Sequence, residues 1–218
     1  MRLEGAPRIL PVNAEAPDPA AVTAAAAALG RGELVAFPTD TLYALAADPF
    51  RPAALDRVYA AKGRTEAKVV SLLVTGPAMA ARLAEVVPPA ARAFMARFWP
   101  GPLTIIVPAA PGLPEGLVSE EGGVGLRAPG GALARAILDA VGGPLVGTSA
   151  NRTGGSEPRD AATALEAVGP ALALLLDGGP TPLGAPSSVV DCLTVPPRIL
   201  RAGAVAPAEL AAAWPGCG

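Results

Sequence analysis

Residues 60–68, AAKGRTEAK, hold both lysines of a chain whose other fifteen cations are arginines. Lys62 and Arg64 flank Gly63 where a helix is expected to end, and Lys68 opens an apolar stretch that reads as a strand. Two compact ammonium groups and a planar guanidinium brought close together suit a polyphosphate, because arginine grips oxyanions as a fork and lysine as a point charge. The plainer reading is a solvated helix end whose cations complement the dipole. PTDTLY (38–43) follows an apolar strand directly, so Thr39, Asp40 and Thr41 fall where open α/β sheets take ligands, or else form an ordinary Asx or Ser/Thr turn. In GTSAN (147–151), Ser149 and Asn151 are two apart and project to one side of an extended segment, where they could donate to phosphate or read a base edge. Further polar loops, LDGGPTP and APSSVVD, are bracketed by strand-like runs, and Arg201 stands at the end of the strand-like ILR. Neither lysine follows a GxxxxG, and no GxGxxG follows a strand, so a nucleotide site here must be assembled from separate side chains.

The bulk composition limits what these residues can be part of. A net charge of −2 argues against nonspecific nucleic-acid binding as the purpose of the chain, so any anion site is a local cluster. The absence of histidine removes the commonest general base and metal ligand, and no metal site is expected. Cys192 and Cys217 form neither a metal spacing nor a disulfide framework, which fits a reducing cytoplasm. No apolar run is long enough to span a membrane, and the first ten residues lack a signal-peptide core.

The elements that must position the candidate residues follow from local signals. Asp18-Pro19 before an alanine-rich run predicts a capped helix, and Pro52 to Gly63 predicts a second. Strands are predicted at 34–38, 69–74, 103–108, 124–129, 144–149, 171–177, 187–191 and 198–201. Helices are predicted near 77–86, 88–97, 132–142 and 160–168, and residues 111–123 as a loop without periodicity. Some neighbouring strands have no helix between them. The expected fold is therefore a single α/β domain with a twisted mixed sheet flanked by helices around a concave cationic cleft. Residues 1–15 are an N-terminal extension, 16–206 the domain, and 207–218 a short helix and tail.

Seven segments, FPTDTLYALAADPF, VYAAKGRTEAKVVSLLV, FWPGPLTIIV, VGLRAP, PLVGTSANRTGG, LDGGPTPLGAPSSVVD and ILRAGAV, occur in an order that resembles the YrdC/Sua5 family of L-threonylcarbamoyladenylate synthases, in its short single-domain form. The resemblance implies a nucleotidyltransferase joining L-threonine, bicarbonate and ATP, with Mg²⁺, and releasing pyrophosphate. The product feeds N6-threonylcarbamoyladenosine formation in tRNA through a threonylcarbamoyl transferase complex. It also implies catalytic roles for Lys62, Arg64, Ser149 and Asn151; ATP contacts from Lys62, Arg64, Lys68, Ser149, Asn151, Arg159 and Arg201; and threonine contacts from Thr41, Arg127, Ser149 and Ser187, with Thr41 and Ser187 reading the hydroxyl. The chain departs from the family pattern at Ala44, Val69 and Gly123, and in Ala185-Pro186-Ser187-Ser188 where an acid is usual. The competing expectations are a noncatalytic module binding tRNA or double-stranded RNA, and a carbamoyl-transfer domain of the kind used in hydrogenase maturation.

Overall fold

The computed structural model describes residues 6–63, 70–215 and 217; Arg64, Lys68 and Val69 lie outside them. In chain order the strands are β1 (Arg8–Pro11), β2 (Val35–Pro38), β3 (Tyr43–Ala47), β4 (Leu72–Leu73), β5 (Leu103–Pro108), β6 (Gly123–Arg127), β7 (Leu145–Ser149), β8 (Leu174–Asp177), β9 (Ser188–Asp191) and β10 (Arg198–Arg201). The helices are α1 (Pro19–Gly30), α2 (Pro52–Lys62), α3 (Pro77–Leu83), α4 (Pro89–Phe98), α5 (Ala132–Val141), α6 (Ala161–Val168) and α7 (Pro207–Ala213). All ten strands join one mixed sheet in the order β1-β8-β2-β3-β7-β4-β6-β5-β9-β10. The expected single α/β domain with a mixed, helix-flanked sheet is what forms.

Local chemistry explains the helix ends. The Asp18 carboxylate accepts the Ala20 N–H at 2.8 Å and Pro19 occupies the first turn of α1, where a missing N–H costs nothing. Gly63 closes α2 in the left-handed conformation at φ 62°, which favours glycine. Two strands go beyond the sequence reading. β1 lies within residues 1–15 and pairs in parallel with β8, which is far away in sequence. β3 forms an antiparallel hairpin with β2 across the Thr39–Leu42 turn, so the apolar residues after PTDTL are a central strand rather than a trailing loop. The strand expected at 69–74 is shorter, with only Leu72 and Leu73 in the ladder.

One face of the sheet is covered by α2, α3, α4, α6 and α7 over a core that includes Tyr43, Leu45, Leu72, Ile105, Leu126 and Leu175. The opposite face is divided. Over β8, β2 and β3 it is covered by α1 and α5, which press Ala25, Leu29, Leu133 and Ile137 against Val35, Phe37, Ala46 and Leu176. Burying each such leucine, isoleucine or phenylalanine contributes about 1.5–3 kcal/mol. Leu145 of β7 and Leu73 of β4 join this apolar cluster, whereas no residue of β6, β5 or β9 does. Toward those strands Leu73, Ile106 and Val189 stand among glycines and hydroxyl residues, and together they form the floor of a pocket.

Candidate active site

The pocket encloses about 300 Å³, at the lower end of the usual range for small-ligand sites. Side chains two apart share a face of a strand, and the floor follows that rule: Gly147 and Ser149 from β7, Leu73 from β4, Gly123, Gly125 and Arg127 from β6, and Thr104 and Ile106 from β5. Three of these positions are glycine, so backbone forms part of the floor. A side chain at Gly147 would collide with the buried Leu73. A Cβ at Gly125 would approach nothing closer than Ser71 at 3.4 Å, so that space belongs to whatever the pocket holds.

Arg127 anchors one wall. Its Nε donates to the Gly101 carbonyl at 3.1 Å, Nη1 to the Thr41 hydroxyl at 2.7 Å, and Nη2 to Asp40 Oδ1, which also accepts the Gly130 N–H at 3.0 Å. β7 and β4 separate β3 from β6, a span of about 14 Å on a flat sheet. The Thr39–Leu42 turn and the end of β6 therefore lean toward each other over the intervening strands to form the wall. Burial lowers the Arg127 pKa, the adjacent Asp40 charge opposes that shift, and Arg201 adds to it. Guanidinium carries five N–H donors, and three are engaged, leaving one on each terminal nitrogen of a residue that lines the pocket: donors without an acceptor, suited to a carboxylate.

The far wall is built from hydroxyls. Ser187 and Thr104 are 7% and 5% exposed, and their oxygens lie 2.9 Å apart. Arg201 clamps Ser187, donating from Nε to its carbonyl at 2.9 Å and from Nη2 to its hydroxyl at 3.0 Å. A register shift between Ile199 and Arg201 makes this possible: Leu200 is the extra residue, and Arg201 comes to lie opposite the pocket-lining Val189. Such a bulge re-aims a side chain. Burial lowers the Arg201 pKa, with Glu157 opposing.

Lys62 is not a solvated helix-end charge; it is 1% exposed. Its ammonium donates to the carbonyls of Ser149 and Asn151 at 2.6 and 2.8 Å and to Asn151 Oδ1 at 3.2 Å. Ser149 Oγ donates to the same Asn151 oxygen at 2.7 Å, and the Asn151 amide donates to the Gly155 and Ser156 carbonyls. Lys62 thus fixes the loop that aims Ser149 into the pocket.

Among the residues singled out from sequence, Thr41, Arg127, Ser149, Ser187 and Arg201 line this one pocket. Lys62 and Asn151 stand directly behind it. Arg159 lies outside the lining, exposed and paired with Glu157 at 2.8 Å. Arg64 and Lys68 fall outside the described residues. Of the two hydroxyls expected to read the substrate, that of Ser187 pairs with Thr104, while that of Thr41 is engaged by Arg127 and lies 3.0 Å from that of Thr39. Sequence reasoning did not single out Thr104, which sits in an apolar strand, or the role of Asp40 as the counter-charge of Arg127.

The Sua5/YciO/YrdC family model, described as telomere recombination, matches residues 27–203. The chain belongs to this family. A Mycobacterium tuberculosis relative is 37% identical over 87% of either chain. The threonylcarbamoyl-AMP synthase of Bacillus subtilis is 33% identical over 88% of this chain and 56% of its own length. The crystal structure of Pyrococcus abyssi Sua5 complexed with L-threonine superposes with a TM-score of 0.90 at 30% identity, covering 95% of this chain. This chain spans 61% of that archaeal protein.

Two of the positions expected to depart from the family pattern, Gly123 and Ala44, line the pocket. A side chain at Gly123 would meet Ile106 Cγ2 at 2.7 Å and Leu193 Cδ1 at 2.9 Å, so a larger residue there would require these side chains to shift. The pocket-lining Ser119 hydroxyl lies 3.4 Å from where that Cβ would stand and accepts the Gly123 N–H. Ala44 pairs in register with Ser149 and lines the pocket, where its methyl occupies space a glycine would leave open. Val69 lies outside the described residues.

Proposed function

We propose that this protein is an L-threonylcarbamoyladenylate synthase, a nucleotidyltransferase that joins L-threonine, bicarbonate and ATP and releases pyrophosphate. The observation that carries this reading is the convergence of Thr41, Arg127, Ser149 and Ser187, the residues expected to hold threonine, on one pocket of about 300 Å³. The names of the relatives agree with it.

The chemistry suits the site. The unprotonated amine of threonine attacks bicarbonate carbon, forming the carbamate with loss of water. A carbamate oxygen then forms a bond to the α-phosphorus of ATP as the bond to the β-phosphate oxygen breaks and pyrophosphate leaves with the electron pair. Both reactants are anions, so catalysis rests on positioning and on cancelling repulsion. Arg127 offers its two free N–H donors to the threonine carboxylate. Arg201, with Arg64 and Lys68, meets the phosphates, making the cleft cationic where it matters despite the net charge of −2. Lys62 holds the Ser149–Asn151 loop against the nucleotide, and Arg159 provides a peripheral contact to it.

Among the described residues no group of three or more carboxylates or cysteines could hold a metal ion. The described residues offer no protein-built Mg²⁺ cage, and Mg²⁺ is proposed to arrive on the ATP phosphates as part of the substrate, with most of its ligands from phosphate and water. No helix among the described residues is long and apolar enough to cross a membrane. We place the reaction in the cytoplasm, with the adenylate passed to a threonylcarbamoyl transferase complex acting on tRNA. The test is incubation with ATP, labelled L-threonine and bicarbonate. Pyrophosphate release that requires all three, with the adenylate detected by mass spectrometry and nearly abolished in Arg64→Ala, is expected. Release independent of threonine, or wild-type turnover in Arg64→Ala, overturns the reading.

A further inference from the structure

The two walls of the pocket differ in hydrogen-bonding character. Arg127 presents two donors and no acceptor. The Thr104–Ser187 pair presents both kinds. Each hydroxyl carries one proton, and the 2.9 Å contact between them uses one of the two. Ser187 Oγ already accepts from Arg201. Whichever hydroxyl donates across the pair, one O–H remains to donate elsewhere, and at least one lone pair of Thr104 remains to accept. A donor and an acceptor side by side complement a neutral alcohol, which needs both, better than an anion, which needs donors only. Thr41 cannot play this part as readily, because its oxygen is tied to Arg127 and Thr39.

We infer that Thr104 is a specificity-determining residue of this site: together with Ser187 it reads the side-chain hydroxyl of a β-hydroxy amino acid whose carboxylate rests on Arg127. The inference rests on the proposed synthase reading and deepens it. Thr104 stands on β5, its Cγ2 lies 3.6 Å from where a Cβ at Gly125 would stand, and its methyl therefore helps shape the floor while its oxygen faces Ser187. The Ser187 side of the pair is set by Arg201, so β5, the residue that enters β9, and β10 together fix the orientation of one hydroxyl.

The experiment compares L-threonine with L-valine, its isostere lacking the hydroxyl, by pyrophosphate release and by calorimetric binding. A site built to pair a substrate hydroxyl rejects the analogue that leaves it unpaired. Thr104→Val keeps the shape and removes the oxygen, and is expected to lower the threonine-to-valine preference by about 10- to 100-fold, the worth of one buried hydrogen bond. Thr104→Ser retains the oxygen and is expected to keep that preference within about threefold, which a purely structural role for the methyl would not produce. Should the valine variant fold poorly, Thr104→Ala gives the same comparison. A Thr104→Val or Thr104→Ala protein that discriminates as well as wild type overturns the inference while leaving the synthase reading intact. A wild-type protein that neither binds nor consumes threonine overturns both.

Discussion

Asp40→Asn isolates the charge that holds Arg127 in place. Asparagine keeps an oxygen for the Gly130 N–H and for the guanidinium, so geometry is disturbed little while the negative charge is lost. The side chains of Arg127 and Asp40 are 9% and 14% exposed, so solvent screens the pair weakly. With charge centres about 4 Å apart and an effective dielectric near 20, the lost attraction is about 4 kcal/mol, and removing one partner of a buried pair costs about 3–5 kcal/mol. The retained hydrogen bond brings the expectation to about 3 kcal/mol, or a Tm lower by roughly 6–12 °C for a domain of this size. Thermal and urea unfolding measure the loss, and a cycle with Arg127→Met tests its origin. The double variant is expected to be less destabilised than the sum of the single variants by about 2 kcal/mol. The threonine KM is expected to rise at least about tenfold, with a smaller change in kcat. An Asp40→Asn protein within about 0.5 kcal/mol of wild type, or strict additivity with Arg127→Met, would refute the assignment of Asp40 as the group that positions Arg127.

Lys62→Met leaves the Asn151 carbonyl without its buried donor, while the Ser149 carbonyl keeps the Asn151 N–H, at about 1–3 kcal/mol for the unsatisfied group. Faster amide exchange across residues 149–156 and loss of pyrophosphate release are expected together, and unchanged exchange there would contradict the loop-holding role. Gly125→Ala puts a methyl into the pocket without a protein clash; stability within about 1 kcal/mol of wild type and threonine affinity at least about fivefold weaker are expected by calorimetry. Burial, aided by the Asp191 charge and Cys217, pushes the Cys192 thiol up to about 12, whereas thiols in the unfolded chain titrate near 8.5. The unfolded state therefore releases its proton first, so this contribution to stability is complete below about pH 8.5 and declines as pH rises toward about 12. Urea unfolding at pH 8, 9 and 10 is expected to show a shallower decline in Cys192→Ala, and identical slopes would exclude the thiol as a source.

What could be read from the sequence was what is written locally. Asp18, Pro19 and Gly63 announce helix ends through their own backbone chemistry, and the capped helices appear where those residues stand. β3 escaped because YALAA is buried on both faces, Tyr43 and Leu45 against one core and Ala44 and Ala46 against the other side, which erases the polar alternation that marks a half-exposed strand. β1 escaped because its pairing partner, β8, lies far along the chain. In the site, hydroxyls and cations could be singled out by type, but their partners could not. Asp40 finds Arg127 across 87 positions and Thr104 finds Ser187 across 83, and the inward turn of Arg201 depends on a bulge at Leu200. These are products of register, which the intervening residues do not spell out.

The order of β5, β9 and β10 has a consequence for synthesis on the ribosome. Strand β5 emerges early, yet its neighbour β9 and the bulged β10 come from the last stretch of the domain. Domains form from the N-terminus as they are made, but contacts between distant segments wait for both partners. Arg127 and Thr41 can pair once β6 is made, while the Arg201 clamp on Ser187 arrives with β10. The orientation of Ser187 is thereby postponed until translation of the domain is nearly finished, and a product truncated before Arg198 would keep Thr104 and Ser187 but lose the clamp that aims them.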